Sequence, residues 1–257
     1  MTTPRRATRL RPRGGETVEA AFADGCASLK LRYPAGRAKI SPAMAVRLIE
    51  LFESIEDDDQ ARMLTIASAA PKFCVGFEDG VDPRIVESLA VISKPTVAII
   101  NGDAFDEGLE LAMAADIRIA SARSKLAITQ MVRGSMPQFG ATQRLPRIVG
   151  IANALRMILT GTEIGASQAE RIGLVSYLAK TPRDLTSIVA NVTRAILSRA
   201  TMAERLVKDA VLKGYDMTLD QGIRLEEDLY ALLQTTADRA EGIRAFLEKR
   251  KPLFKGA

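Results

Sequence analysis

Hydrophobic and polar residues alternate over positions 27–33, which read Ala-Ser-Leu-Lys-Leu-Arg-Tyr and are followed by Pro34. A period of two is typical of a half-buried strand. After Ser41 the apolar residues recur at helical spacing and predict a helix capped by that serine; they are Met44, Val46, Leu48, Ile49, Leu51, Phe52 and Ile55. Apolar runs at 63–67 and 96–100 predict two more strands. Strands that alternate with helices predict a parallel α/β sheet.

The second half of the chain predicts a shorter α/β region and then helices alone. A helix is predicted over 109–115, a buried strand over 116–120 and a helix over 142–147, with a loop rich in glycine and proline at 134–140. From about Pro182 onward the apolar residues keep helical spacing, as at Val207 and Val211. This pattern predicts amphipathic helices that pack on the core or on another subunit.

Composition limits the class of protein and the chemistry available to it. The chain has 257 residues, of which 47% are hydrophobic and 26% charged, so it is expected to form one enzyme-sized globular unit. It has no apolar run of about 18 residues that could span a membrane. Because it has no histidine, Ser-His-Asp and Cys-His catalysis and histidine-bound zinc are excluded. Cys26 and Cys74 form no CxxC motif, so neither a disulfide nor a metal site is indicated, and a reducing cytoplasm is the expected location.

The net charge of +5 comes from one end of the chain. Residues 1–15 contain five arginines and no acid, and they are rich in proline and glycine. They are therefore predicted to form a disordered basic arm, with a transit peptide as the alternative. The rest of the chain is electrically neutral, which argues against binding of nucleic acid by the folded part.

Five blocks of sequence, in order, resemble one known family. They are Lys94-Pro95 through Asn101-Gly102, Gly108-Leu109-Glu110-Leu111 through Asp116-Ile117, Ala141-Thr142-Gln143-Arg144-Leu145 through Gly150, Leu159-Thr160-Gly161 through Gly173-Leu174-Val175, and the tail from Glu241 to Lys255. Each block is weak alone. Together they make the chain similar to the enoyl-CoA hydratase/isomerase (crotonase) superfamily from about Ala27 to the C-terminus.

The resemblance implies an architecture and a class of substrate. The expected fold is α/β, a spiral of ββα units over 16–190, followed by a C-terminal helical segment over 191–257 that mediates trimers, often paired into hexamers. The expected substrate is an acyl thioester of coenzyme A, with no prosthetic group and no metal. The shared chemistry stabilises an enolate by placing the thioester oxygen in an oxyanion hole of two backbone N–H groups.

The resemblance also implies which residues form the site. Phe77 matches the first N–H donor of the hole, and Glu107 stands at the second, where the family usually has glycine. Glu110 matches the first of the two glutamates that move protons in hydration. Gln130 stands at the place of the second, where an amide can orient a group but cannot usefully exchange a proton.

The reaction itself stays open at this stage. Acids near a helix start are favoured by the helix dipole, so Asp106 is interpreted mainly as a cap, whereas Glu110 is expected to function because a buried acid is costly. Hydration or isomerisation of an enoyl-CoA is the first choice. The alternatives are decarboxylation or another lyase reaction on a CoA- or carrier-bound thioester, and thioester binding without catalysis.

Candidates for contact with coenzyme A lie in three parts of the chain. They are Arg37, Ala38, Lys39, Val75, Phe77, Phe254 and Lys255. Basic side chains among them can pair with phosphates, although exposed basic residues are usually only solvated.

Overall fold

The computed structural model describes residues 17–34, 37–254 and 256. The strands are β1 Thr17–Ala23, β2 Cys26–Arg32, β3 Met63–Ser68, β4 Thr96–Ile100, β5 Ala104–Phe105, β6 Ile117–Ser121, β7 Lys125–Ala127, β8 Ile164–Gly165 and β9 Tyr177–Ala179. The helices are α1 Pro42–Asp57, α2 Arg84–Ala90, α3 Glu107–Ala114, α4 Ala141–Val149, α5 Ile151–Thr160, α6 Ala166–Arg171, α7 Pro182–Leu197, α8 Thr201–Gly214, α9 Leu219–Gln234 and α10 Ala237–Leu247. A 3₁₀ turn covers Gln130–Arg133. The predicted basic arm at 1–15 lies outside the described residues.

The larger sheet has six strands in the order β1-β2-β3-β4-β6-β9. β2, β3, β4, β6 and β9 pair in parallel, and β1 pairs with β2 antiparallel. The predicted strands, the predicted helix capped by Ser41 and the parallel sheet are therefore confirmed. Ser41 Oγ accepts the amide of Met44 at 3.3 Å, as the capping pattern predicted.

A second layer of short pairings lies beside the large sheet. It contains the three-stranded sheet β5-β7-β8 and is extended by isolated parallel bridges between Cys74 and Ala104 and between Ile40 and Phe77. Each repeat along the chain thus adds a strand to the large sheet, then a short strand or bridge to the second layer, and then a helix. The expected spiral of ββα units is confirmed by this arrangement.

The two faces of the large sheet are covered differently. One face carries the main core. In this core the buried residues of α1 and α3 pack against the sheet and against α4. The other face carries a small cluster of Cys26, Met63, Val97, Ile119 and Val192, and Val192 belongs to α7. Both faces of β3 and β4 are therefore buried, which accounts for their unbroken apolar sequence.

The hairpin of β1 and β2 was missed by the sequence analysis. Asp24 and Gly25 join these strands with φ values of 49° and 85°. Positive φ at both central residues is the signature of a type I′ turn, and Asp-Gly is a favoured pair for it. This dipeptide is the signal that would have predicted the hairpin.

The C-terminal helices leave the sheet after α7. Helix α7 spans the boundary predicted at 190/191, so that division of the chain stays a proposal. Helix α9 buries no residue, and large apolar side chains of α8 to α10 are exposed, among them Val211, Leu219 and Phe246. A helical C-terminal segment is confirmed, and its role in assembly stays a prediction.

Candidate active site

Helix α3 begins at a turn that lies against the segment Cys74 to Phe77. A Cβ atom on Gly108 would lie 2.1 Å from the carbonyl oxygen of Cys74, so only glycine permits this approach. The close contact places the first peptide of α3, that of Glu107, next to the chain that carries the Phe77 amide. Amides in the first turn of a helix have no partner within the helix and are available to a ligand.

Asp106 precedes this helix and has φ 49° and ψ −122°, in a region that favours glycine. Its side chain makes no capping hydrogen bond to α3. Instead the carboxylate accepts from the amide and hydroxyl of Thr129 and from Arg133 Nη2 at 2.9 Å. Asp106 thus occupies the N-cap position, as interpreted, but its carboxylate is engaged by the 3₁₀ turn rather than by α3.

The Phe77 amide faces a side chain that the sequence did not place there. It donates to Glu107 Oε2 at 3.3 Å. Gly76, just before it, has φ 135°, and a Cβ at that position would lie 3.0 Å from the same oxygen. The Glu107 carboxylate thus lies directly on the amide predicted as the first donor.

Glu110 lies one turn into α3 and is completely buried. Its Oε1 accepts the amides of Phe139 and Ala141, each at 2.9 Å, and its Oε2 accepts from Gln130 Nε2 at 3.3 Å. Burial raises the pKa of Glu110 to about 7. The negative charges of Glu107 and Asp106 also raise this pKa, whereas the two amide hydrogen bonds lower it. Near neutral pH this carboxyl can therefore both take up and release a proton.

Gln130 joins the two glutamates. Its Nε2 donates at 3.3 Å both to Glu107 Oε1 and to Glu110 Oε2. The residue is 4% exposed, and its Oε1 has no hydrogen-bond partner among the described residues. The predicted set of Phe77, Glu107, Glu110 and Gln130 is thus brought together in one place.

Two aromatic rings are in contact beside the site. Phe77 and Phe139 meet edge to face with centroids 5.1 Å apart. Phe139 also supplies an amide to Glu110, so this contact ties the segment of the predicted donor to the loop that holds the acid. The amides of Phe139 and Ala141 were missed by the sequence analysis because any residue except proline can supply a backbone donor.

The candidate coenzyme A residues divide into two groups. Val75 donates its amide to the carbonyl of Ala38 at 2.7 Å, so the segments 37–39 and 75–77 lie side by side. Arg37 and Lys39 are exposed there, and Arg37 Nη1 lies 3.6 Å from a carboxylate oxygen of Glu78. Phe254 lies beside Gly242 of α10, and Lys255 falls outside the described residues.

A cavity of about 730 Å³ begins at the loop that holds Glu110. Phe139 and Gly140 line it at that end, and Met113, one turn beyond Glu110 on α3, lines its wall. Val211 of α8 and Tyr215, which directly follows that helix, line another part. None of Phe77, Glu107, Glu110 and Gln130 lines this cavity, so it lies apart from the cluster of predicted site residues.

The described part of the chain lacks two kinds of feature. No helix in it combines the length and apolarity needed to cross a bilayer. The Cys, Asp and Glu side chains in it form no group of three or more that could hold a metal ion.

Comparison with known sequences points to one family. The sequence model described as Enoyl-CoA hydratase/isomerase matches residues 82–257. The chain is 34% identical over 246 residues to (E)-benzylidenesuccinyl-CoA hydratase of Thauera aromatica, covering 90% of this chain and 96% of that protein. It is 33% identical over 242 residues to 2,3-dehydroadipyl-CoA hydratase of Escherichia coli K12, covering 89% of this chain and 94% of that one.

Comparison with solved structures agrees. The enoyl-CoA hydratase of Bacillus anthracis superposes with a TM-score of 0.89 at 29% identity, covering 95% of this chain and all of that one. A structure titled as an enoyl-CoA hydratase subunit from Geobacillus kaustophilus superposes with a TM-score of 0.87 at 27% identity, covering 93% and 98%.

Proposed function

The chain belongs to the enoyl-CoA hydratase/isomerase family, the crotonase superfamily, and from that membership we propose that it adds water across the double bond of an α,β-unsaturated acyl-CoA. An acyl-CoA hydratase/isomerase function follows from the family. Hydration is preferred to isomerisation because the relatives compared above are named hydratases. The observation that carries the proposal is a buried carboxyl with a pKa of about 7, one helical turn from an N-terminal amide.

The thioester oxygen is proposed to bind the amides of Phe77 and Glu107. Support comes from Gly108, which allows α3 to approach the backbone of Cys74 so closely that the two donor segments adjoin. Donors fixed before the reaction stabilise the negative charge of an enolate, and each typically contributes about 2.7 to 4 kcal/mol to lowering the barrier. The carboxylate of Glu107 must leave the Phe77 amide when the substrate binds.

Glu110 is proposed to take the proton from the water that attacks the β-carbon. Its Oε1 is held by two amides, which leaves Oε2 as the oxygen that exchanges the proton. Gln130 is proposed to orient this oxygen through its amide group. A base whose pKa lies near the working pH is efficient in both directions of proton transfer.

The remaining parts of the substrate are assigned to neighbouring surfaces. Coenzyme A, which enters as part of the substrate, is proposed to lie along Arg37, Ala38, Lys39, Val75 and Phe77. Phe254 and Lys255 are proposed to approach coenzyme A from the C-terminal tail of a neighbouring subunit.

The proposal is tested with crotonyl-CoA as substrate. We expect the wild-type protein to consume the enoyl absorbance and Glu110→Gln to lower kcat by about 10²- to 10⁴-fold. Because Glu110 must be ionised to act as the base, kcat/KM of the wild type is expected to rise as the pH passes through about 7. Glu50→Gln, which removes an exposed acid from α1, is the matched control and should leave the rate unchanged.

Two results would overturn this assignment. Full activity in Glu110→Gln would remove Glu110 from its role. A protein that binds coenzyme A but turns over no enoyl thioester would favour the non-catalytic alternative, which the contact of Glu107 with the Phe77 amide supports. Release of carbon dioxide from a β-carboxyl thioester would favour the decarboxylase, although the carboxylates of Glu107 and Glu110 would repel such a substrate.

Assembly and location are also proposals. The exposed apolar side chains of α8 to α10 support a homotrimer or hexamer, since apolar surface of this extent marks an interface. A cytoplasmic location is proposed from the cysteine usage. One mouse relative, 32% identical, is named as mitochondrial, so cell fractionation with residues 1–15 present and deleted is the test.

A further inference from the structure

Asp106 has an unusual backbone conformation at the edge of the site. Its φ of 49° and ψ of −122° lie in a region that favours glycine, and the residue is 5% exposed. Such a conformation costs free energy in any residue with a side chain, and it persists where other interactions offset the cost. Backbone outliers of this kind are concentrated at functional sites, so the contacts of the Asp106 side chain are informative.

Both carboxylate oxygens of Asp106 are bound by the 3₁₀ turn. Oδ1 accepts the backbone amide of Thr129 and, at 3.0 Å, its hydroxyl. Oδ2 accepts Nη2 of Arg133 at 2.9 Å, and Nη1 of Arg133 donates to the Thr129 hydroxyl at 2.9 Å. The three side chains therefore form a closed set, in which a buried carboxylate receives hydrogen bonds from a charged donor and a backbone amide.

These contacts hold the turn on both sides of Gln130. Thr129 occupies the N-cap position of the 3₁₀ turn, directly before Gln130, and Arg133 is the last residue of the turn. The contacts that Gln130 Nε2 makes to the two glutamates of α3 are 3.3 Å long, beyond the common range of about 2.7–3.2 Å for N–H···O bonds. Of the side-chain contacts that join the start of α3 to the turn, those of Asp106 are therefore the stronger ones.

The placement of the turn decides what the carboxyl of Glu110 contacts. Two amides bind Oε1 of Glu110, whereas Oε2 accepts from Gln130. Oε1 of Gln130 is buried and has no hydrogen-bond partner among the described residues, so it is available to an O–H group of a bound molecule. A shift of the turn would move both ends of the Gln130 amide away from these positions.

We propose that Asp106 is a positioning residue whose carboxylate, together with Arg133, fixes the 3₁₀ turn so that the amide of Gln130 faces Oε2 of Glu110. This inference rests on the proposed function, in which Oε2 exchanges the proton. Asp106 acts through Gln130 and not on the substrate. Its loss therefore lowers kcat and leaves KM nearly unchanged.

Two variants separate the carboxylate from the backbone. Glycine adopts the φ and ψ of residue 106 readily, so Asp106→Gly removes the side-chain contacts without adding strain. Asp106→Asn keeps an oxygen that can accept from Thr129 but loses the charge that pairs with Arg133. With crotonyl-CoA we expect Asp106→Gly to lower kcat about 10- to 100-fold and Asp106→Asn to lower it less. KM is expected to stay within about twofold of the wild-type value in both.

A double-mutant cycle with Gln130→Ala tests whether Asp106 acts through Gln130. We expect Asp106→Gly to add less than about threefold to the loss that Gln130→Ala causes, because the side chain that it positions is then absent. Two independent effects would multiply instead. Glu163→Gln, which removes the acid of the exposed ion pair with Lys125, is the matched control and should leave kcat unchanged.

Circular dichroism checks that each variant folds. If Asp106→Gly does not fold, Arg133→Met takes its place in the cycle, since Arg133 is exposed and its loss breaks the same ion pair. Its loss of kcat is expected to be smaller, and it should again add little to the loss that Gln130→Ala causes.

Three results would overturn the role of Asp106 while the hydratase function stands. They are wild-type kcat in the variant that breaks the ion pair, wild-type kcat in Gln130→Ala, and losses that multiply in the double variant. The first would show that the ion pair is not needed, and the other two that Asp106 does not act through Gln130. No turnover of any enoyl thioester by the wild type would instead overturn the hydratase function, and with it the inference.

Discussion

Glu110 is an acid in a buried position, where its ionised form costs free energy. Its carboxyl is buried, and the amides of Phe139 and Ala141 only partly replace the water that it has lost. The same burial that raises its pKa to about 7 makes it a base suited to neutral pH. Burial of the ionised carboxyl therefore lowers the stability of the fold, and the loss depends on pH.

That dependence can be measured by urea unfolding of Glu110→Gln and wild type between pH 4.5 and pH 8. Because the folded-state pKa lies above the unfolded value, the folded wild type binds more protons than the unfolded chain in this window, and its stability falls as the pH rises. Glutamine keeps an acceptor for both amides and carries no charge. We therefore expect the variant to gain roughly 2–3 kcal/mol on the wild type from the low to the high end of the window.

Glu204 contributes to the pH dependence of stability with the same sign, because burial also raises its pKa to about 7. It is present in both proteins, so the difference between them isolates Glu110. A constant difference across the range would mean that the Glu110 carboxyl is not held in the buried state described here.

At the scale of elements, the site depends on how closely α3 approaches the strand-like segment that ends at Phe77. This approach is set by Gly108, whose missing side chain leaves room for the Cys74 carbonyl. Helix α3 then presents Glu107 and Glu110 on one face, because residues three apart lie on the same side of a helix. The 3₁₀ turn brings Gln130 to that face.

The prediction at this scale concerns Gly108→Ala. The added methyl group would lie 2.1 Å from a backbone oxygen that cannot move aside as a flexible side chain would, so α3 must shift. A misplacement of about 1 Å is enough to lower activity roughly 100-fold, and we expect a loss of this size in kcat/KM for crotonyl-CoA. Circular dichroism checks that the variant still folds.

Gly165→Ala is the matched control. No atom lies within 4 Å of a Cβ at that position, so the substitution should leave kcat/KM unchanged. Equal activity of Gly108→Ala and Gly165→Ala would contradict the view that the spacing of α3 and the Phe77 segment sets the site.

At the scale of the whole molecule, the C-terminal helices carry apolar surface that the described chain does not cover. Leu219 is 79% and Phe246 82% exposed, and α9 has no buried residue. Helices held only by their contacts within one chain would gain stability from burying this surface against other copies, at roughly 25 cal/mol per Å². The proposed trimer or hexamer supplies such a contact.

The double variant Leu219→Glu with Phe246→Glu tests this surface by sedimentation. We expect the wild type to sediment as a trimer or hexamer and the variant to shift toward smaller species, since a charge in an apolar interface is costly to bury. Lys30→Glu, an exposed change on β2, is the control and should not alter the assembly. A monomeric wild type would contradict the proposed role of α8 to α10.

Much of this molecule follows from local patterns in its sequence. The alternation of apolar and polar residues predicted β2, the capped spacing predicted α1, and apolar runs predicted β3 and β4, because side-chain periodicity follows directly from backbone geometry. An acid among the apolar residues of α3 led to the prediction that Glu110 is functional, and this stays a prediction. The resemblance of ordered sequence blocks identified the family before any contact was known.

The tertiary structure alone decided which residues that are distant in sequence come into contact. The contacts of Glu107 with Phe77 and Gln130 and of Glu110 with Phe139 and Ala141 join positions 23 to 31 residues apart. Backbone donors carry no residue signature, and the direction of a side chain at a helix start depends on what packs against it. For these reasons the sequence determined which groups are available, and the fold determined that two carboxyls and one amide lie at the same point.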